Sequence, residues 1–378
     1  MYKRQALLPG AVGTVQLPLA KLVAAPGTEV HLSLTVERIA ATPWSPASAV
    51  IDQVQFPVAL RREAPVRRIA ALPPLTMTGD ILAGPGWNLR LDRTTGTIAS
   101  LAIGSRELLT RPILPCLMRA PTDIDLTTGG NGFAGQWAAC GLDRAVFNLA
   151  SCETVRIDDR RVQIRSAGVM AAPGKAPVAR IELTWTVYGS GDVVGDMLAI
   201  VDAPVETIPR IGLVTSLVGS NRHLRWFGRG PFENYPDRRE SALLGLHDVA
   251  VADMLTPYVF PQECGLRCDV RWLAAVDDQG SGLFVQGLSQ LHASALPVRL
   301  EDLRDTANLA DLTRRDETAL HLDGFHMGLG GDTGWTRNVH PEYRLLPGQY
   351  RFRLHLRPLS GGEDLGALGR EELEGALR

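Results

Sequence analysis

Residues 181–187, Ile181-Glu182-Leu183-Thr184-Trp185-Thr186-Val187, decide the fold class. Apolar side chains take every second position and polar ones fill the gaps, the period of a strand with one buried and one wet face. The pattern recurs on either side. Val30, Leu32, Leu34 and Val36 interleave with His31, Ser33, Thr35 and Glu37, and Tyr350, Phe352, Leu354 and Leu356 interleave with Arg351, Arg353, His355 and Arg357. Hairpin signals separate such runs: Asp158-Asp159-Arg160 lies between Val155/Ile157 and Val162/Ile164, and residues 92–96 lie between Leu91 and Ile98. Helical period is weak until the tail, where Leu365, Leu368, Glu372 and Leu377 line one side of a short segment. Many strands, 38 glycines and 25 prolines for turns, and little helix predict an all-β chain built of antiparallel sandwiches.

Charge is nearly balanced over the 378 residues: 39 Lys+Arg against 41 Asp+Glu gives −2. No basic excess is available to neutralise phosphates, which argues against nucleic acid as a partner. No apolar run approaches the ~20 residues of a membrane helix, so no membrane partner is predicted. The first residues reach Pro9 and Gly10 before any apolar core of useful length, and no signal peptide is read there. Five cysteines, Cys116, Cys140, Cys152, Cys264 and Cys268, form no CxxC pair. Cys264 and Cys268 have no second His/Cys pair at zinc-site spacing. They read as buried free thiols in a reducing, cytoplasmic setting, with the periplasm left open.

One boundary is visible. Arg61-Arg62-Glu63-Ala64-Pro65-Val66-Arg67-Arg68, followed by Pro73-Pro74, has the charge and proline content of a linker, which we place at residues 61–75. Residues 1–60 hold three or four strands, against about seven in an independent sandwich. That unit reads as cut, with its remaining strands expected upstream of Met1. Residues 76–358 form the main sandwich, and residues 359–378 a tail with a short helix.

Four polar, glycine-bearing segments break the strand pattern. They are Arg119-Ala120-Pro121-Thr122-Asp123-Ile124-Asp125; Trp226 to Arg238, ending Glu233-Asn234-Tyr235-Pro236-Asp237-Arg238; Pro257 to Arg267, with Gln262-Glu263-Cys264-Gly265; and Asp323 to Trp335, with His326-Met327-Gly328-Leu329-Gly330-Gly331-Asp332. In that order they resemble the RAPTDND, W-x-G-x-GP-x-ENYPDR, PY-x-x-P-x-ENG-x-R and MG-x-GGDDSW motifs of the C-terminal small-chain domain of glycoside hydrolase family 2 β-galactosidases. The resemblance covers residues 76–358. It extends upstream through Val36 and Ala41-Thr42-Pro43-Trp44-Ser45, similar to the end of the immunoglobulin-like domain preceding the small chain. Ile124 and Cys264 stand where the family has Asn, and Thr333-Gly334 where it has Asp-Ser.

The resemblance implies a galactose-mutarotase-like super-sandwich for residues 76–358 and a partial immunoglobulin-like sandwich for residues 1–60. It implies retaining hydrolysis of terminal β-D-galactosides such as lactose by two glutamates on a barrel upstream of this sequence. The expected partners are therefore a galactoside, that barrel (in the same chain or as a large subunit) and further copies in a homo-oligomer. Mg2+ and a monovalent cation are expected on the absent domains, with no cofactor in this chain. The alternative is a separately encoded, non-catalytic small subunit or carbohydrate-binding module.

No catalytic residue is assigned here. Asp123 and Asp125 are two apart and nothing marks either as a buried acid, so they read as structural. Glu233 and Asp237 are expected to bond backbone and Arg238/Arg239, and Glu263 to pair with Arg267. His326, without a second ligand nearby, reads as hydrogen-bonded rather than metal-bound. Gly328, Gly330 and Gly331 permit a tight loop that carries Asp332 and Trp335 outward. By resemblance Trp335 falls on the family's sugar-stacking tryptophan, and Trp335, Asp332 and His326 are the candidate substrate-binding residues.

Overall fold

A computed structural model describes residues 10–14, 16, 22–59, 62–126, 132–332 and 338–376. The stretch that decided the fold class lies in the strand Ala179–Tyr188, where Ile181, Leu183, Trp185 and Val187 are buried. It is the third strand of a nine-stranded antiparallel sheet. In spatial order the strands are Val146–Arg156, Arg161–Ala171, Ala179–Tyr188, Val193–Val201, Gly348–Ser360, Ser281–Gly287, Trp272–Val276, His223–Arg229 and Leu244–Ala250. The predicted turn at residues 158–160 joins the first two. A four-stranded antiparallel sheet, His292–Leu296, Glu317–His326, Arg210–Val218 and Leu109–Cys116, leads into the first and fourth polar segments, while the second leaves the nine-stranded sheet at His223–Arg229. A five-stranded meander spans residues 76–107. One hydrophobic core runs through all three sheets, including Leu89, Leu101, Trp185, Leu213, Leu320 and Leu354. The chain is all-β.

The strand Glu317–His326 departs from the alternating rule. Every residue but Phe325 is buried, Glu317, His321, Asp323 and His326 included. Both faces of this strand are covered, so its polar side chains pair inside the protein rather than with water.

The first strands form a hairpin, Val30–Glu37 with Val50–Val58. Among the described residues it has two strands rather than three or four. Val30, Leu32 and Leu34 face Val58, Phe56 and Val54 across it, while Ser33 and Thr35 face Gln55 and Gln53. The polar face docks. Gln55 donates from Nε2 to Leu244 O at 2.9 Å and accepts from Leu244 N at 3.0 Å, copying a strand ladder with a side-chain amide. Leu34, Val36, Val54 and Phe56 on the other face are exposed.

The stretch expected to be a linker is fastened to the body. Val66–Arg67 pairs in parallel with Glu372–Leu373, Arg67 Nη2 lies 2.8 Å from Asp192 Oδ1, and Leu72 and Leu75 are buried. Asp192 also accepts from His355 Nε2 at 2.7 Å, which draws His355 inside although its place in the alternation is on the wet face. The tail holds a helix at Leu365–Arg370, with Asp364 capping it through Ala367 N at 3.0 Å, while Glu372, expected on the same helical side, lies in the strand Glu372–Leu373. Leu377 lies outside the described residues.

Candidate functional site

The four segments converge at one end of the four-stranded sheet. Arg119, three residues past the strand Leu109–Cys116, is fully buried, and its Nε and Nη2 grip Asp125 at 2.9 and 2.8 Å. Thr122 N donates to Asp125 Oδ2 and Asp125 N to Thr122 Oγ1, which seats the short helix Asp123–Leu126. The guanidinium also lies 5.9 Å from the Trp137 ring. Asp123 exchanges bonds with Gln262. Both aspartates are thus engaged in structure.

Glu233 knits the second segment to the third. One oxygen accepts from Arg238 Nη2 at 3.0 Å and from the Tyr258 hydroxyl. The other accepts from Thr256 Oγ1 at 2.9 Å and Gly265 N at 2.8 Å. Asn234 holds Cys268 N at 2.9 Å. Arg239 turns away to Asp269, and Asp237 accepts from the backbone of the fourth segment: Leu329 N at 3.0 Å and Gly330 N at 2.7 Å. The expected use of Arg239 is therefore corrected.

The expected Glu263–Arg267 pair is corrected too. Glu263 meets Arg210 of the central sheet at 2.8 Å, while Arg267 donates to Pro231 O and Gly265 O and lies 5.5 Å from the Trp226 ring. Residues four apart come within side-chain reach of each other on a helix, and this segment is not one. Arg210 Nε also holds Asp323 Oδ2 at 2.9 Å, so one buried cation serves two buried carboxylates. Burial would raise Glu263, but Arg210 and then His326 hold it down to about 2. Burial pushes Asp323 up to about 7 against the pull of Arg210, with the Glu263 charge adding to the rise.

His326 is buried at the end of its strand. Its Nδ1 faces Met327 O at 2.8 Å, and because a carbonyl only accepts, Nδ1 carries the proton there. Nε2 lies 3.7 Å from Glu263 Oε1, and the ring lies 5.6 Å from that of Tyr235. Burial holds the imidazole below its usual range. His326 thus faces the interior, not the loop tip. Asp332 is exposed and pairs with His340 Nε2 at 2.6 Å, which brings residues 332 and 340 together. Trp335 lies outside the described residues. Arg119, Arg210 and Asp237 were not singled out as site residues by sequence, since Met327, Glu263 and Leu329, which they hold, lie 208, 53 and 92 residues away; His340 was missed although Asp332 is only eight residues before it.

Among the described residues no three His, Cys, Asp or Glu side chains are grouped to hold a metal ion, and the five cysteines are free thiols. No helix among them is long and apolar enough to cross a membrane.

The profile of the family described as "Beta galactosidase small chain" matches residues 83–356. The chain belongs to the β-galactosidase small-chain family. A β-galactosidase of Vibrio cholerae is 31% identical over 357 residues, covering 91% of this chain and 34% of that protein. β-Galactosidase 2 of Enterobacter cloacae is 32% identical over 356 residues, covering 92% and 34%. This small-chain member spans about a third of the length of the curated relatives it matches. Among solved structures it is similar to a putative aldose 1-epimerase of Escherichia coli K12 (TM-score 0.39, 11% identity, 75% of this chain and 99% of that one). It is also similar to galactose 1-epimerase of Lactobacillus acidophilus NCFM (TM-score 0.40, 8% identity, covering 75% and 94%).

Proposed function

We propose that this chain is the C-terminal part of a retaining β-galactosidase of glycoside hydrolase family 2, which caps and completes a galactoside site whose two catalytic glutamates lie on a barrel outside it. The observation that carries this reading is the convergence of the four small-chain segments on one glycine-rich loop root, with Asp332 exposed beyond it. A sugar offers hydroxyls at its rim and apolar C–H faces, so a carboxylate beside an aromatic plate suits it. Asp332 and Trp335 are the groups we assign to this role, and His326, whose Nδ1 donates to Met327 O, braces the start of the loop. Asp125, Glu233, Asp237 and Glu263 already hold protein donors, which argues against a retaining pair within this chain.

The carboxylates described here are engaged as above, so the Mg2+ and monovalent cation expected of the intact enzyme belong to the domains outside this chain. The substrate class is terminal β-D-galactosides, lactose among them, and the compartment is the cytoplasm, in keeping with free thiols. Supplying the chain to a large fragment of a relative that ends before this region tests the reading. Nitrophenyl-β-galactoside hydrolysis should appear with both and with neither alone; turnover by this chain alone overturns it.

A further inference from the structure

The turn Tyr235–Arg238 projects one carboxylate, Asp237, at the root of the glycine-rich loop. Two backbone bonds close the turn, Arg238 N to Tyr235 O at 2.8 Å and Tyr235 N to Arg238 O at 3.2 Å, and Tyr235 is buried, so the turn is firmly seated. Each Asp237 oxygen takes one loop amide: Oδ1 from Leu329 and Oδ2 from Gly330. A Cβ on Gly328 would stand 2.5 Å from Asp237 Oδ2, so glycine at 328 is what admits the carboxylate. From the other flank Arg119 Nη1 donates to Met327 O at 3.3 Å and Gly328 O at 3.1 Å. Four consecutive residues are therefore held, two by their carbonyls and two by their amides. Gly330 then turns through φ +73° and Gly331 through φ +118°, and Asp332 emerges exposed.

We propose that Asp237 is a positioning residue for galactoside binding: through the amides of Leu329 and Gly330 it sets the height of the loop that presents Asp332 to the sugar. This rests on the function proposed above. Bonds to an ionised carboxylate are about twice as strong as neutral ones, and the two together fix both position and tilt of the peptide run. Asp237 itself touches no substrate; its effect is on binding, and the chemistry stays with the barrel.

The experiment pairs two measurements. In the 378-residue chain, hydrogen exchange over residues 327–332 is read for wild type, Asp237→Asn and Asp237→Ala. In the full-length or complemented enzyme, kcat and KM on nitrophenyl-β-galactoside are read for the same variants, with Asp332→Ala and Trp335→Ala alongside. Asp237→Ala should lose protection at both amides and raise KM about 10-fold, a sub-ångström to ångström displacement, with kcat within about 2-fold. Asp237→Asn keeps one acceptor and should fall between. Protection lost with KM unchanged in Asp237→Ala, or kcat falling in place of KM, overturns the inference. A raised KM in Asp332→Ala or Trp335→Ala beside an unchanged one in Asp237→Ala overturns the positioning role while leaving the proposed function intact. Unchanged KM in all three overturns both.

Discussion

Arg210 and Asp323 are joined at 2.9 Å across neighbouring strands with both side chains buried, and the same guanidinium holds Glu263 at 2.8 Å. One cation facing two carboxylates leaves the trio short of positive charge in a low-dielectric interior, and the least favoured carboxylate answers by keeping its proton.

The pH dependence follows from that sharing. Asp323 is raised from 3.8 to about 7 by burial, so its contribution to stability is complete below 3.8 and is lost as pH rises through 7. Glu263 runs oppositely: held down to about 2 from 4.5, its contribution is complete above 4.5 and is lost on acidification toward 2. Wild type should lose about 3–6 °C in melting temperature between pH 5 and 8 through Asp323. Asp323→Asn removes that titration and should at least halve the loss. Calorimetry across this range checks it, and identical slopes in the two proteins would refute the assignment.

Arg119 and Asp125 form a second buried pair, with no exposure on either side chain. Removing one partner strands a charge without water, a loss of about 3–5 kcal/mol. Arg119→Ala should therefore unfold at markedly lower urea, and Arg119→Lys should recover only part of the loss, because a lysine lacks the planar fork that meets both oxygens. A denaturation midpoint within error of wild type for Arg119→Ala would contradict the burial of this pair.

The strap at residues 62–75 gives a protease test. Arg67 is held by Asp192, and Val66–Arg67 sits in a parallel pair with Glu372–Leu373. Trypsin should spare Arg67 in the wild type. Asp192→Ala also strips a partner from His355, and it should open cleavage at Arg67 and Arg68. Mass mapping of early fragments decides the matter; early cleavage at Arg67 in wild type would count against the docked strap.

What the sequence disclosed and what it hid divide along physical lines. Residues 181–187 announced their strand because one face is dry and the other wet, a local signal. Glu317–His326 hid because both its faces are covered, which leaves no period to read. The pairing of Glu263 hid as well, since its cation, Arg210, lies 53 residues away while Arg267 stood temptingly near in sequence. The strap looked like a linker because charge and proline content are local properties, whereas Asp192, 125 residues on from Arg67, is not. At the site, the four segments were legible as motifs. Their mutual grip, Arg119 and Asp237 on residues 327–330, needed the fold.

Gln55 seats the hairpin on the sheet edge together with Gln53, which donates to Ser241 O at 3.4 Å, and Glu29, which pairs with Arg271 at 2.8 Å. Gln55 both donates to and accepts from Leu244. Gln55→Leu keeps the volume and removes both bonds, at about 1 kcal/mol each. Hydrogen exchange over residues 30–58 should rise in this variant, while the nine-stranded sheet stays protected. Unchanged exchange in the hairpin would show that other contacts seat it.

Trp335 remains the residue on which the substrate reading is staked. It follows Gly330-Gly331-Asp332 in sequence, a run whose root the structure clamps at Leu329 and Gly330. An aromatic plate on the apolar face of a sugar contributes on the order of 1–3 kcal/mol, by analogy with base–aromatic stacking. That is roughly 5- to 150-fold in affinity. On the proposed function, which puts the bond-breaking carboxylates outside this chain, the loss should appear as a raised KM with kcat little changed. Trp335→Ala, assayed on lactose and on a nitrophenyl galactoside in the full-length or complemented enzyme, checks this. Lactose should suffer at least as much, since it has no nitrophenyl ring to recover binding elsewhere. An unchanged KM on both substrates, with the fold intact, would remove Trp335 from the site.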